Sequence, residues 1–172
     1  KGGDIVLEAR NGSIGAPAYE SDNTTIKHDK NNGLRIFDAE ADSTATNPSK
    51  VTLRATQDVY VEGVTNKILQ SSSEPGGYLN LKVEGYGGAS VKNVGLVVNG
   101  QLDLLAPLTS AESASVYALP DLTLNNGISS KNVYLGSANN VNINGTQPIQ
   151  GSNSITVEAS KNVLLNAGNL NS

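Results

Sequence analysis

The chain has 172 residues, a formal net charge of −4 and a pI near 4.9. An acidic chain with no basic stretch is a poor match for nucleic-acid phosphates or a polybasic membrane contact. With no Cys it also has no disulfide, thiolate ligand or thiol chemistry. No apolar run approaches the ~20 residues that span a bilayer as a helix. We therefore expect neither a nucleic-acid partner nor membrane insertion. With no Met either, we read the chain as a processed or excised segment of a longer protein.

In chain order, Ile5, Leu7 and Ala9 open an apolar-polar alternation, and Ile14 follows. The irregular stretches at 15–33 and 38–49 read as loops. Between 51 and 63 the alternation is clean: Val51, Leu53 and Ala55, three intervening residues, then Val59 and Val61 with Gly63 after them. A third loop is expected at 64–77. Leu79, Leu81 and Val83 begin another copy, and "GYGG" (85–88) delays Val91. Leu102, Leu104 and Ala106 begin a further one that dissolves into a loop at 106–120. Within it, "SAESASVYAL" (110–119) is the only stretch with helical propensity, and Pro120 stops it. Leu122 and Leu124 give a partial copy. The template then returns twice, as Val133, Leu135, Ser137, Val141 and Ile143, and as Ile155, Val157, Ala159, Val163 and Leu165.

Alternation with period two places successive side chains on opposite faces of a strand, so each triplet predicts a short strand and the chain essentially no helix. The copies at 133 and 155 lie 22 residues apart, and self-similarity at 20–30 residues marks a solenoid. We expect an all-β fold, a right-handed parallel β-helix of about seven or eight coils that forms one segment over 1–172. The small fifth position of each copy belongs at an inner corner. "KNV" (92–94, 131–133, 161–163) reads as a corner with Lys outside and Asn in the turn. All template copies are expected to be equivalent positions of successive coils.

Candidate chemistry is sparse. His28, the only His, sits among Lys27, Asp29 and Lys30 and reads as a solvated loop residue. Asp4, Glu8, Glu20, Asp22, Asp38, Glu40 and Asp42 could supply a carboxylate pair for glycoside chemistry, but they lie largely in loops. "EADSTATN" (40–47) could hold a single cation, although a solvated loop is the simpler reading. Tyr19, Tyr60, Tyr78, Tyr86, Tyr117 and Tyr134 could form a sugar platform, but they read as scattered surface or corner residues. "NGS" (11–13), "NTT" (23–25) and "NGT" (144–146) match glycosylation acceptors, as chance allows in so Asn-rich a chain. We assign no catalytic, cofactor-binding or metal-ligating residue, and we expect no enzymatic activity.

"GGDIVLEARNGSIG" (2–15), "VTLRATQDVYVEG" (51–63) and "ITVEASKNVLLNAG" (155–168) resemble the repeats of large filamentous adhesins exported by two-partner secretion. These are haemagglutinin-like exoproteins of Gram-negative bacteria, and the first phrase is nearest to the leukotoxin-type filamentous adhesins. The resemblance implies a β-helical fibre, export to the cell surface through an outer-membrane transporter, and attachment to host or neighbouring cells through a receptor or glycan. The Asn-Pro-Asn motifs of that family's secretion domain are missing, with only "NPSK" (47–50) present, so an internal length of fibre is implied. Two other functions fit a β-helix: a polysaccharide lyase or depolymerase, and a carbohydrate-binding module using exposed Tyr.

Overall fold

The structure is a computed structural model that describes residues 4–36, 50–64, 78–99, 101–165 and 170–171. The expected loop at 38–49 lies outside the described residues, as do all of the loop at 64–77 except Val64, which ends a strand, and Asp38, Glu40, Asp42 and the whole of "EADSTATN". The described residues form strands and one 3-10 turn, Tyr86–Gly88, with no α-helix among them.

In chain order the strands are β1 (Ile5–Ala9), β2 (Ala16–Tyr19), β3 (Ile26–Asn32), β4 (Lys50–Ala55), β5 (Asp58–Val64) and β6 (Tyr78–Gly85). They continue with β7 (Asn93–Val98), β8 (Gln101–Leu104), β9 (Leu108–Thr109), β10 (Ser113–Ala118), β11 (Leu122–Leu124) and β12 (Ile128–Ser137). The last four are β13 (Val141–Ile143), β14 (Ile149–Ala159), β15 (Val163–Leu165) and β16 (Leu170–Asn171).

Parallel pairing organises the chain. One sheet runs β1-β4-β6-β8, and β11-β13-β15 packs beside β8. A second sheet runs β5-β7-β10-β12-β14-β16. The chain alternates between them, so a strand inside either sheet bonds to strands from the passes before and after it. Stacked parallel strands in this order make the molecule solenoid-like. Corner backbones stack as well: Gln57 N–H donates to Gly12 O, Lys92 N–H to Gln57 O, Glu112 N–H to Lys92 O and Asn132 N–H to Glu112 O. Corner backbone groups are thereby satisfied without regular secondary structure at the turn.

Inward residues stack in files of aliphatic side chains. Leu53, Leu81, Leu96, Leu124, Leu135 and Ile143 are at most 1% exposed, and burying each contributes roughly 1.5–3 kcal/mol. The small fifth template position does sit at a corner, with Ala55 and Ser137 buried. Ser137 Oγ donates to Pro120 O at 2.7 Å and accepts from Asn139 N–H at 2.9 Å. Asn also works at corners: Asn125 Oδ1 accepts from Leu104 N–H at 3.0 Å, where β8 has no bonded strand neighbour on that side.

Three expectations require correction. First, the template copies are not all equivalent. Val51, Leu53 and Ala55 lie on β4 in the first sheet, whereas Val133, Leu135 and Ser137 lie on β12 in the second. The true stacking partners of Val59 are Val94, Ala114, Val133 and Ile155. The template encodes a strand–corner–strand arc, and both sides of a flattened coil make the same demand on it.

Second, 106–120 is not a loop, and its helical propensity is overridden. It carries β9 and β10, and Ala114, Val116 and Ala118 point into the core. Parallel neighbours β7 and β12 hydrogen-bond to both edges of β10, and that pairing outweighs the local preference of an Ala/Ser-rich segment.

Third, 15–33 is an antiparallel hairpin, β2–β3, and not an irregular loop. It interrupts one pass of the second sheet. Ile14 bridges to Val59 and Leu34 to Val61, with the hairpin inserted between them. Its neck is Gly15 (φ +70°) and Gly33, where a Cβ on either would lie 2.3 Å from Tyr60 O. Its tip is tied by Asp22, whose carboxylate accepts from Thr24 N–H, Thr25 N–H and Thr25 Oγ1. These bonds hold the Asp22 carboxyl well below the usual carboxylate range.

A groove between the hairpin and the parallel sheet

Parallel register lines up the outward residues of the second sheet in rows. One row reads Tyr60, Gly95, Ser115, Tyr134 and Thr156. The next reads Glu62, Val97, Tyr117, Gly136 and Glu158. A third, Asp58, Asn93, Ser113, Asn132 and Ser154, is a polar ladder. In it Asn93 Nδ2 donates to Asp58 Oδ1, Ser113 Oγ to Asn93 Oδ1 and Ser154 Oγ to Asn132 Oδ1. Glycine makes room in the first two rows. A Cβ on Gly95 would lie 2.6 Å from the Tyr60 ring, and one on Gly136 would lie 2.7 Å from the Tyr117 ring.

Strand β3 lies over these rows. Asn31, 4% exposed, anchors it: Nδ2 donates to Val61 O at 3.1 Å and to Gly95 O at 3.0 Å. Asn31 N–H donates to Glu62 Oε2 at 2.9 Å. Further along β3, His28 Nδ1 lies 2.9 Å from Ser115 Oγ, and its ring stacks on Tyr134 with centroids 3.7 Å apart and planes 13° from parallel. Tyr134 Oη donates to Glu158 Oε2 at 3.0 Å. His28 therefore stays exposed, as expected from its charged neighbours, but it sits on a strand and not in a loop, with one ring face on Tyr134. Burial pushes its pKa down, against the opposing pull of Glu158 and Asp29. Burial likewise raises the Tyr134 phenol, helped by its bond to Glu158, and pushes the Tyr60 phenol up to about 12.

Hairpin and sheet enclose a groove of about 280 Å³, lined by Ile26, His28, Tyr60, Ser115, Tyr134 and Thr156 among others. Three of the six tyrosines, Tyr60, Tyr117 and Tyr134, share this sheet face, so they are not scattered. Tyr19 is exposed on β2, and Tyr86 lies beneath the Arg10 guanidinium, 5.6 Å from the ring centre. The side chain of Tyr78 lies outside the described residues. The register that assembles the tyrosines was hidden in the sequence because insertions of unequal length separate the strands that carry them.

The candidate carboxylates are placed separately. Asp4 Oδ1 accepts from Lys50 N–H, Glu8 pairs with Arg54 and Arg10, Glu20 pairs with Lys27, and Asp22 is used within its own turn. Among the described residues no group of three or more His, Asp or Glu is placed to hold a metal ion. Ser115 and His28 are within hydrogen-bond reach, but His28 Nε2 has no hydrogen-bond partner among the described residues that could orient it as a base. What the arrangement can do is hold a small molecule or keep the hairpin docked.

Compared with known proteins, the chain matches no family model, no curated protein and no solved structure.

Proposed function

We propose that this chain is a structural, non-enzymatic segment of a large bacterial surface or secreted filamentous adhesin, built as a right-handed parallel β-helix of about seven or eight coils. Its work is to hold contact surfaces away from the cell, where they meet a receptor or glycan on a host or neighbouring cell. The full-length protein would reach the surface through an outer-membrane transporter.

One observation carries this reading. The apolar files that fill the stack run out to both of its ends and stay uncovered there. Ile5 and Leu7 stack on Val51 and Leu53 but are 51% and 39% exposed. Val163 and Leu165 stack on Val141 and Ile143 but are 46% and 48% exposed. Exposed apolar files of this kind suit a stack that continues into further coils. The resemblance of 2–15, 51–63 and 155–168 to fibre repeats supports the same conclusion.

Beads coated with the purified chain test the proposal against panels of epithelial and bacterial cells. Attachment above that of beads carrying an unrelated β protein supports it. Equal attachment across all panels removes the adhesive half.

A second reading, a sugar-processing enzyme, draws on the Ser115–His28 contact in the groove. Incubation with a panel of polysaccharides decides it, since release of new reducing ends that stops in Ser115→Ala would make the chain an enzyme.

A further inference from the structure

We propose that the groove between the hairpin and the second sheet binds one uncharged sugar ring. This rests on the adhesive reading of the chain and gives it a site and a ligand class.

The first ground is an unsatisfied group. Tyr60 lines the groove and is 5% exposed, yet its hydroxyl has no hydrogen-bond partner among the described residues. A buried phenol without a partner costs stability, and native structures rarely keep one without a use. The Thr156 hydroxyl, in the same row, is exposed on the groove wall and makes no hydrogen bond to the described residues, so it is free to meet a ligand. Both can donate and accept.

The second ground is the rest of the wall. Ser113 Oγ donates to Asn93 and Ser154 Oγ donates to Asn132, so each keeps lone pairs for an incoming hydroxyl. Between these polar groups lie the Tyr60 and Tyr134 rings and Ile26, which make most of the surface apolar. A pyranose matches both features, with an apolar C–H face for the apolar wall and equatorial hydroxyls for the polar groups at its edge.

Charge narrows the class. The carboxylates that act on the groove's His28 are Glu158 and Asp29, and Lys27 on the hairpin is paired with Glu20. Uronic and sialic acids would meet like charge there. At about 280 Å³ the groove is at the small end of ligand clefts, which suits one ring and not a chain of them.

Titrating the ¹⁵N-labelled chain with methyl glycosides of glucose, galactose and N-acetylglucosamine tests this, with glucuronate and N-acetylneuraminate as acidic probes. At least one neutral glycoside should shift the amides of Tyr60, Ser115, Tyr134 and Thr156, and the acidic probes should bind at least about tenfold more weakly. Tyr60→Phe keeps the ring over Gly95, so it should melt no lower than wild type while weakening binding about five- to tenfold. Thr156→Ala should weaken it by a similar factor. Saturable shifts elsewhere, no shift with any neutral glycoside, or wild-type binding by both variants would overturn the proposal. Cell attachment is measured separately on beads. Attachment that persists without sugar binding defeats the groove alone, and sugar binding without attachment defeats the adhesive reading alone.

Discussion

The ring of His28 lies flat on that of Tyr134, joining an inserted hairpin to a strand of the parallel stack far along the chain. The contact makes hairpin docking depend on pH. In the undocked state the imidazole takes a proton near its ordinary pKa of ~6.5. In the docked state burial lowers that value, although Glu158 from the sheet and Asp29 on the same strand oppose the shift. A depressed native pKa gives stability that is present above ~6.5 and is lost as pH falls through the native value. Amide exchange across β2 and β3 should therefore speed up on acidification from pH 7 to 5, with less change in β12. His28→Phe, which keeps the stack without the titration, should flatten that profile. An unchanged profile in the variant would assign the effect to another group.

Gly95 and Gly136 hold space for tyrosine rings. Gly95→Ala would place a methyl group 2.6 Å from the Tyr60 ring, so we expect a loss of roughly 1–3 kcal/mol in chemical denaturation. Tyr60→Ala in the same chain should recover part of it. Additive losses in the double variant would mean that the two residues do not compete for space.

Leu135 is fully buried in the middle of the second sheet. Leu135→Ala should cost about 2–5 kcal/mol. Because each pass touches only its neighbours, amide protection should fall first in β10, β12 and β14 and last in β4. A uniform loss across all strands would show that the stack unfolds as one unit.

The uncovered ends make the isolated chain prone to associate. Sedimentation should show concentration-dependent assembly that Val163→Lys with Leu165→Lys reduces, since charged residues blunt open strand edges. A wild-type chain that stays monomeric at about millimolar concentration would contradict the role given to these ends.

Much of the stack is legible in the sequence where large aliphatic residues alternate with polar ones, as in β4, β5, β12 and β14. The alternation of Ala114, Val116 and Ala118 was harder to read because small residues separated by Ser carry a weak hydrophobic signal. Its strand state comes from pairing on both edges, which no local window contains. Phase was also hidden: the arcs at 51–61 and 133–143 look alike but begin on different sheets, since both corners select the same residue types. Ile14 was visible as the apolar residue after the first triplet. That a hairpin separates it from Leu34 in one pass shows only in their bridges to Val59 and Val61. The groove is a product of tertiary docking, so the neighbours Lys27 and Asp29 show that His28 is exposed but not that its ring lies on Tyr134.

The central claim is that successive passes stack in parallel register along one axis. The Cys-free chain allows two spin labels, at Thr52→Cys on β4 and Asn142→Cys on β13, both outward positions of the first sheet and its continuation. Four passes of the stack, through β6, β8 and β11, separate them, which sets their spacing along the stack axis at about 19 Å. Pulsed electron–electron resonance should give one narrow distance distribution centred within a label length of that value. A broad distribution, or one centred beyond about 35 Å, would contradict the stack.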